Sequence, residues 1–407
     1  MAGRYEKKKE KKQKPQKAQE VQAAQEGQAA QESQALQKKQ KKRMSTGKKV
    51  VLTVAITLLV LILAVVIAAV IWYNGTLNLI TRPDNTTRQL TQEELDDILG
   101  WVPESDRIGQ TEEPTEEITE APTEIETEPT EADYSKVGKI INIMLIGTDY
   151  RVGEEHKLSD SMILCTVNRE TKTLTMTSFM RDMYVKLPNY QGHKVGKQRI
   201  NVAYDLGYRW GGELGGMEML AQCVNENFSA KVDHSVEVDF EDFMEVIDLL
   251  GGVEVELTSV EAKYMNKQDK WRNNYKEGMN QMDGYQALVY ARMRHSSAGD
   301  GDFNRTQRQR NIITCAVNKA RNMNLIELNK LVKEVLPMVL TDMTNSEITT
   351  YLATLLPILP DLEIVSNRIP ADKAYYPAGV EISGVKASVL VPDLKKNSEI
   401  MIGICGE

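Results

Sequence analysis

Between Val50 and Trp72 the chain carries no charged residue and almost no polar one. As a helix rising about 1.5 Å per residue this run extends roughly 35 Å, enough to cross the hydrocarbon core of a bilayer. A cleavable signal peptide has a shorter apolar core and a small-x-small cleavage site, and neither is clear here, so the run reads as a retained anchor. Arg43, Lys48 and Lys49 flank it on one side, Trp72 and Tyr73 on the other. Basic flanks stay cytoplasmic and aromatic rings favour the interface, so a transmembrane helix over 50–73 leaves everything after Asn74 extracytoplasmic.

The segments on either side cannot build a core. Residues 1–49 hold 15 Lys or Arg against 5 Glu, with Gln and Ala filling most of the rest. A-Q-E-x-Q-A recurs at Ala18, Ala24 and Ala30, a six-residue step that drifts off a coiled-coil seam. A basic, mostly disordered cytoplasmic tail is expected. Residues 74–136 form a linker, and from Thr81 to Lys136 there are 17 acidic residues against 4 basic, with a Thr/Glu/Pro-rich run over 111–132. Self-repulsion and proline keep such a segment extended, as a tether.

Folding capacity lies in 137–407. The apolar run Lys139 to Ile146 ends in Gly147-Thr148-Asp149, as a buried strand that delivers a polar loop. Met162 to Val167 and Leu174 to Phe179 read as two more strands joined by a turn over Asn168 to Thr173. Helical spacing covers Gly212 to Phe228, Phe240 to Leu250, Gly284 to Met293 and Asn304 to Arg321, with strands at Ser235 to Val238 and Val253 to Leu257 between the earlier ones. The tail predicts helices over Leu325 to Leu340 and near Glu347 to Leu356, then strands around Val385 to Val391 and Ile400 to Ile404. Alternation of this kind favours a layered α/β domain. Cys165, Cys223, Cys315 and Cys405 are scattered among apolar residues with no C-x-x-C. Free buried thiols are expected, with a cysteine pair the open alternative.

Several chemistries are missing from the sequence. It has no G-x-x-x-x-G-K-[ST] loop, no G-x-S-x-G turn and no H-E-x-x-H, so phosphate-loop, serine-hydrolase and zincin mechanisms are not indicated. What stands out is aspartate and arginine at element ends. Asp149 follows the first strand and Asp160 precedes the second; two carboxylates at one edge suit Mg²⁺, while turn-forming aspartates are the plain alternative. Arg181 ends the third strand, Arg292 and Arg294 follow a helix, and Arg305 and Arg308 open the next one after Asp302. Planar guanidinium forks grip phosphate oxygens in pairs; ordinary surface ion pairs are the alternative. Taken together the two sets suggest a metal-plus-arginine pyrophosphate site.

In order along the chain, I-N-I-M-L-I-G-T-D-Y-R (Ile141 to Arg151), S-D-S-M-I-L (Ser159 to Leu164), S-F-M-R-D-M-Y-V (Ser178 to Val185) and R-I-N-x-A-Y (Arg199 to Tyr204) resemble the LytR-CpsA-Psr family. So do H-S-V-E-V-D-F through L-L-G-G-V-E-V (His234 to Val255), Y-A-R-M-R-H (Tyr290 to His295) and G-D-F-N-R-T-Q-R-Q-R (Gly301 to Arg310). The resemblance implies a three-layer α-β-α sandwich with a central mixed sheet, and a hydrophobic pocket for a polyprenyl chain with pyrophosphate at its mouth. It implies that Asp149 and Asp160 hold Mg²⁺, or Mn²⁺ in its place, and that Arg181, Arg292 and Arg294 bind pyrophosphate. Arg199, Asp302 and Gln309 would line the same site, with Arg305 in support. Met180 stands where the family usually has Pro, Leu158 where a basic residue often sits, and Arg199 where Lys is frequent.

The function so implied is a membrane-anchored transferase, moving a glycopolymer (teichoic acid or capsule) phosphate from a polyprenyl-pyrophosphate carrier to a peptidoglycan hydroxyl. Asp302 is a candidate acceptor for the hydroxyl proton. A polyprenyl-pyrophosphate hydrolase and a non-catalytic lipid-glycan sensor are the alternatives. Nothing in the sequence resembles a nucleic-acid-binding module.

Overall fold

The computed structural model describes residues 138–148, 157–268, 274–294, 301–382 and 384–406. The expected tail, membrane helix and linker lie outside these residues, and so does Asp149. Among the described residues no helix is long and apolar enough to cross a membrane.

The three apolar runs form an antiparallel meander of β1 (Ile140–Thr148), β2 (Ser159–Asn168) and β3 (Thr173–Phe179). Asn168 makes the β2–β3 turn. Its Oδ1 accepts from the N–H groups of Glu170 and Thr171 at 3.0 and 3.1 Å, a side-chain mimic of a backbone turn. β6 (His234–Asp239) joins β1 in parallel and β10 (Glu363–Ile369) joins β3 in parallel, while the short β9 (Leu340–Thr341) closes the far edge antiparallel. The sheet order is β10-β3-β2-β1-β6-β9.

This topology decides where a site can form. β1, β3, β6 and β10 run in one direction, so their C-terminal ends share an edge, and β2 starts there with Ser159 and Asp160. Neighbouring strands lie about 4.8 Å apart, which puts Asp160 between the end of β1 and the end of β3. Ligands of such sheets gather at that edge.

Helices cover both faces, as the α-β-α expectation requires. Met144, Ile146, Met162, Leu164 and Phe179 pack under α1 (Val202–Phe228) and α8 (Leu394–Cys405). Alternate residues Leu145, Ile163, Val167, Leu174 and Met176 face Ile313 and Val317 of α5 (Gly301–Ala320) and Leu355 of α7 (Asn345–Leu355). Each large side chain so buried contributes about 1.5–3 kcal/mol. A separate apolar cluster joins α2 (Phe240–Leu249), β7 (Val253–Leu257), α3 (Ser259–Gln268), β8 (Gly278–Met282) and α4 (Gly284–Ala291) to α5. Two hairpins complete the described fold: β4 (Tyr184–Lys186) with β5 (Lys197–Arg199), and β11 (Tyr375–Ile382) with β12 (Val385–Pro392).

α1 is two helices in one. Gly211 and Gly212 leave helical geometry, Gly212 with φ 64° and ψ −162°, a conformation essentially confined to glycine. The chain folds back on itself there. A Cβ placed on Gly207 would sit 2.2 Å from the carbonyl oxygen of Gly215, so the two arms meet backbone to backbone.

Two expectations are corrected. Ile400 to Ile404 is helix rather than strand: Asp393 caps α8 by accepting from the Lys396 N–H, and Asn397, Met401 and Cys405 form its buried stripe at four-residue spacing. A short apolar run does not reveal its own period. The helix expected over Leu325 to Leu340 is shorter, with α6 (Leu325–Val335) giving way to a 3₁₀ turn at Leu336–Met338, where Pro337 removes a helical donor. The four cysteines are free.

Candidate active site

Arg181 follows β3 and reaches across to the neighbouring strand. Its Nη1 donates to Asp160 Oδ1 at 2.7 Å, while its Nε lies 3.6 Å from Asp182 Oδ1 and 3.9 Å from Asp302 Oδ1. Asp302 and Arg305 occupy the first turn of α5, one helical turn apart, with Arg305 Nη2 at 2.8 Å from Asp302 Oδ1. Arg199, buried at the end of β5, brings Nη1 within 4.0 Å of Asp182 Oδ1. Gln309 enters through Ser161, whose hydroxyl donates to its Oε1 at 3.3 Å. Segments of β2, β3, β5 and α5 thus converge on one cluster.

Electrostatics follow from burial and sign. Burial alone would raise the Asp160 pKa, but Arg181, Arg305 and Arg294 together hold it below the usual carboxylate range. Burial works against the Arg181 guanidinium too, and Asp160, Asp182 and Asp302 outweigh it, leaving Arg181 above its ordinary value. For Arg305 burial wins, and its pKa is lowered. All the same, hydrogen-bonding capacity is left over: Arg181 Nε, Arg305 Nε and Asp302 Oδ2 are buried with no hydrogen-bond partner. Unmet buried donors are costly, and two guanidinium donors beside an ionised carboxylate suit anionic oxygens brought by a ligand.

The remaining expected residues are placed as follows. Arg294 acts on Asp160 through its charge. Arg292 ends α4 and lays its guanidinium 4.5 Å over the Phe240 ring; Phe240 follows Asp239, which pairs in register with Thr148 at the same sheet edge. Arg308 serves the scaffold instead. It donates to Glu261 Oε1 at 2.8 Å and to the Met293 carbonyl at 2.7 Å, tying α5 to α3 and to the segment after α4.

Two participants have no role assigned to them from the sequence. Asp182 stands between Arg181 and Arg199, and its place beside Arg181 in the chain was the available signal. Glu237 is the other. Its Oε1 accepts from Thr148 Oγ1 at 2.9 Å and pairs with Lys157 Nζ at 2.7 Å, while Oε2 accepts from the Tyr204 hydroxyl. One buried carboxylate therefore holds the end of β1 and Lys157, two positions before β2. Nothing local marks it, because its partners lie 80 or more positions away or on another element.

The model of the LytR_cpsA_psr family matches residues 108–394, and the chain belongs to that family. Polyisoprenyl-teichoic acid–peptidoglycan teichoic acid transferase TagU of Oceanobacillus iheyensis is 34% identical over 186 residues, 46% of this chain and 53% of that protein. The chain spans about half the length of the curated relatives it matches. Among solved structures, protein gbs0355 from Streptococcus agalactiae superposes with a TM-score of 0.52 at 25% identity, covering 65% of this chain and 86% of that one. TagV of Bacillus subtilis gives 0.51 at 25% identity, covering 66% and 97%. The mixed α/β sheet is thus that of the family.

Proposed function

We propose that the chain is a membrane-anchored, extracytoplasmic phosphotransferase. It moves a glycopolymer phosphate from a polyprenyl-pyrophosphate carrier to a peptidoglycan hydroxyl and releases polyprenyl phosphate. The observation that carries this reading is the pair of unsatisfied buried donors, Arg181 Nε and Arg305 Nε, beside ionised Asp160. The relatives' names, teichoic acid transferases acting on peptidoglycan, support the same substrates.

In this reading the guanidiniums of Arg181, Arg305, Arg292 and Arg294 bind the pyrophosphate oxygens and neutralise charge as it builds on the leaving phosphate. Arg199 and Gln309 line the site and hold its geometry. The acceptor oxygen forms a bond to the glycan-linked phosphorus, the bond from that phosphorus to the bridging oxygen breaks, and the electron pair leaves with polyprenyl phosphate. The hydroxyl proton passes to Asp302, whose Oδ2 is buried without a partner.

The chemistry of Asp160 suits a hard divalent cation, since its carboxylate is held ionised and Mg²⁺ takes oxygen ligands. Asp160, with Asp149, the next residue in sequence after β1, would hold Mg²⁺ or Mn²⁺, which when bound would supply further charge neutralisation at the pyrophosphate.

Arg292→Ala tests the pyrophosphate assignment. Transfer from a polyprenyl-pyrophosphate glycan should be abolished with the melting temperature unchanged within about 2 °C. Full activity in that variant would remove the pyrophosphate site from the account.

A further inference from the structure

We propose a second phosphate subsite beside the first, formed by Arg310 of α5 and Arg368 of β10 around Ser178 of β3. Arg310 is only 4% exposed. Its Nη1 donates to Ser178 Oγ and its Nη2 to Gln307 Oε1, while Nε is buried with no partner. Among the described residues no carboxylate lies within ion-pair distance of it. A buried charge without a counter-ion is expensive, so the arrangement is incomplete as it stands.

Arg368 supplies the other half. It stands in register with Ser178 on the adjacent parallel strand, and paired residues of neighbouring strands share a sheet face. Its guanidinium lies 4.3 Å over the Phe303 ring, with Nε donating to the Pro370 carbonyl and Nη2 pairing with Asp372. Asp372 is 88% exposed and screens the charge weakly. Burial first and the charge of Arg368 second lower the Arg310 pKa to about 10.

Arg310 donates to Ser178 and Arg368 stands in register with it on the next strand, so two like charges on one sheet face call for an anion between them. Planar guanidinium forks match phosphate oxygens, and the Ser178 hydroxyl, accepting from Arg310, keeps its proton to donate. Phe303 follows Asp302 directly and Ser178 lies three residues before Arg181, so the subsite adjoins the pyrophosphate cluster on its β3–β10 flank. The ligand we assign is a phosphate of the donor glycopolymer beyond its pyrophosphate. That source rests on the proposed function, whereas the subsite itself does not.

The test is calorimetric titration of the full chain in detergent with inorganic phosphate and, separately, with a lipid-free glycerol phosphate oligomer. Both should bind, and Arg310→Gln and Arg368→Gln should each weaken both about tenfold, the loss of one charge-assisted contact. Arg292→Ala should keep the part of this binding that Arg310→Gln and Arg368→Gln weaken. Because Arg368 is partly exposed, its variant stands as a test even if Arg310→Gln does not fold. No phosphate binding by the wild type, or wild-type affinity in either folded variant, overturns the subsite; binding of inorganic phosphate without the oligomer overturns the polymer assignment. A chain that fails to catalyse transfer leaves these titrations unchanged, so the two failures are distinguishable.

Discussion

Arg181 Nη1 lies 2.7 Å from Asp160 Oδ1, across a gap of 21 positions in sequence that the β2–β3 pairing closes. The contact sets the protonation of the site. Burial opposes the Asp160 charge and the surrounding arginines restore it, so the carboxylate is ionised at neutral pH. Replacing Arg181 by Met removes the nearest of those cations and strands a mostly buried carboxylate. The expected result is a transfer rate about 10²–10³-fold lower and an unfolding free energy about 1–3 kcal/mol smaller by urea titration. Arg181→Lys keeps the charge without the fork; wild-type rates in that variant would contradict the pyrophosphate geometry.

Phe240 is a platform for Arg292. Stacking of this kind is worth about 0.5–1 kcal/mol at a partly exposed site, so Phe240→Leu should raise the KM for the lipid-linked donor about three- to fivefold. Steady-state kinetics at saturating acceptor measure it, with kcat and the melting temperature nearly unchanged. A fall in kcat with unchanged KM would count against the stacking role.

The crossing of the two arms of α1 leaves no room at Gly207. Gly207→Ala forces a Cβ against the Gly215 carbonyl and should cost about 2–4 kcal/mol in a chemical melt. Gly403 of α8 is the matched control, with open space around its missing Cβ. Gly403→Ala should be neutral or stabilising by up to about 1 kcal/mol.

His234, at the start of β6, pairs with Asp342 at 3.2 Å and lies 3.7 Å from Glu347. Burial lowers its pKa, but Asp342, Glu347 and Asp233 outweigh burial and raise it. A raised histidine pKa stabilises fully below the unfolded value of about 6.5 and loses that contribution as pH climbs through the folded value. His234→Gln should therefore melt about 2–4 °C below wild type near pH 5.5, with the gap narrowing by pH 8.5. Differential scanning calorimetry across that range checks it, and a gap that widens with pH would reverse the assignment.

The sheet centre was legible because β1, β2 and β3 are apolar runs separated by turn residues. Where the residues are polar, the pattern is silent. β5 is Lys-Gln-Arg and β11 carries Pro377 as its third residue, and both strands exist through their hairpin partners rather than through their own composition. The Ile400 to Ile404 run misled because five residues cannot separate a period of two from one of 3.6. At the site, the arginines were visible as R-M-R and R-T-Q-R-Q-R, yet their division of labour was not. Arg305 turns to Asp302 within its own helix, whereas Arg308, nearly a helical turn further along α5, meets Glu261 of α3. Likewise Glu237 and Lys157 are each unremarkable in sequence and meet only because β6 pairs with β1.

Transfer itself is tested most directly by incubating the full chain in detergent with a polyprenyl-pyrophosphate glycan, a peptidoglycan oligomer and Mg²⁺, with Asp160→Ala as control, and weighing the products. The account predicts a phosphodiester-linked adduct of glycan and peptidoglycan together with polyprenyl phosphate, both lost in Asp160→Ala. Polyprenyl phosphate with no adduct, or tight binding with no turnover, would contradict it.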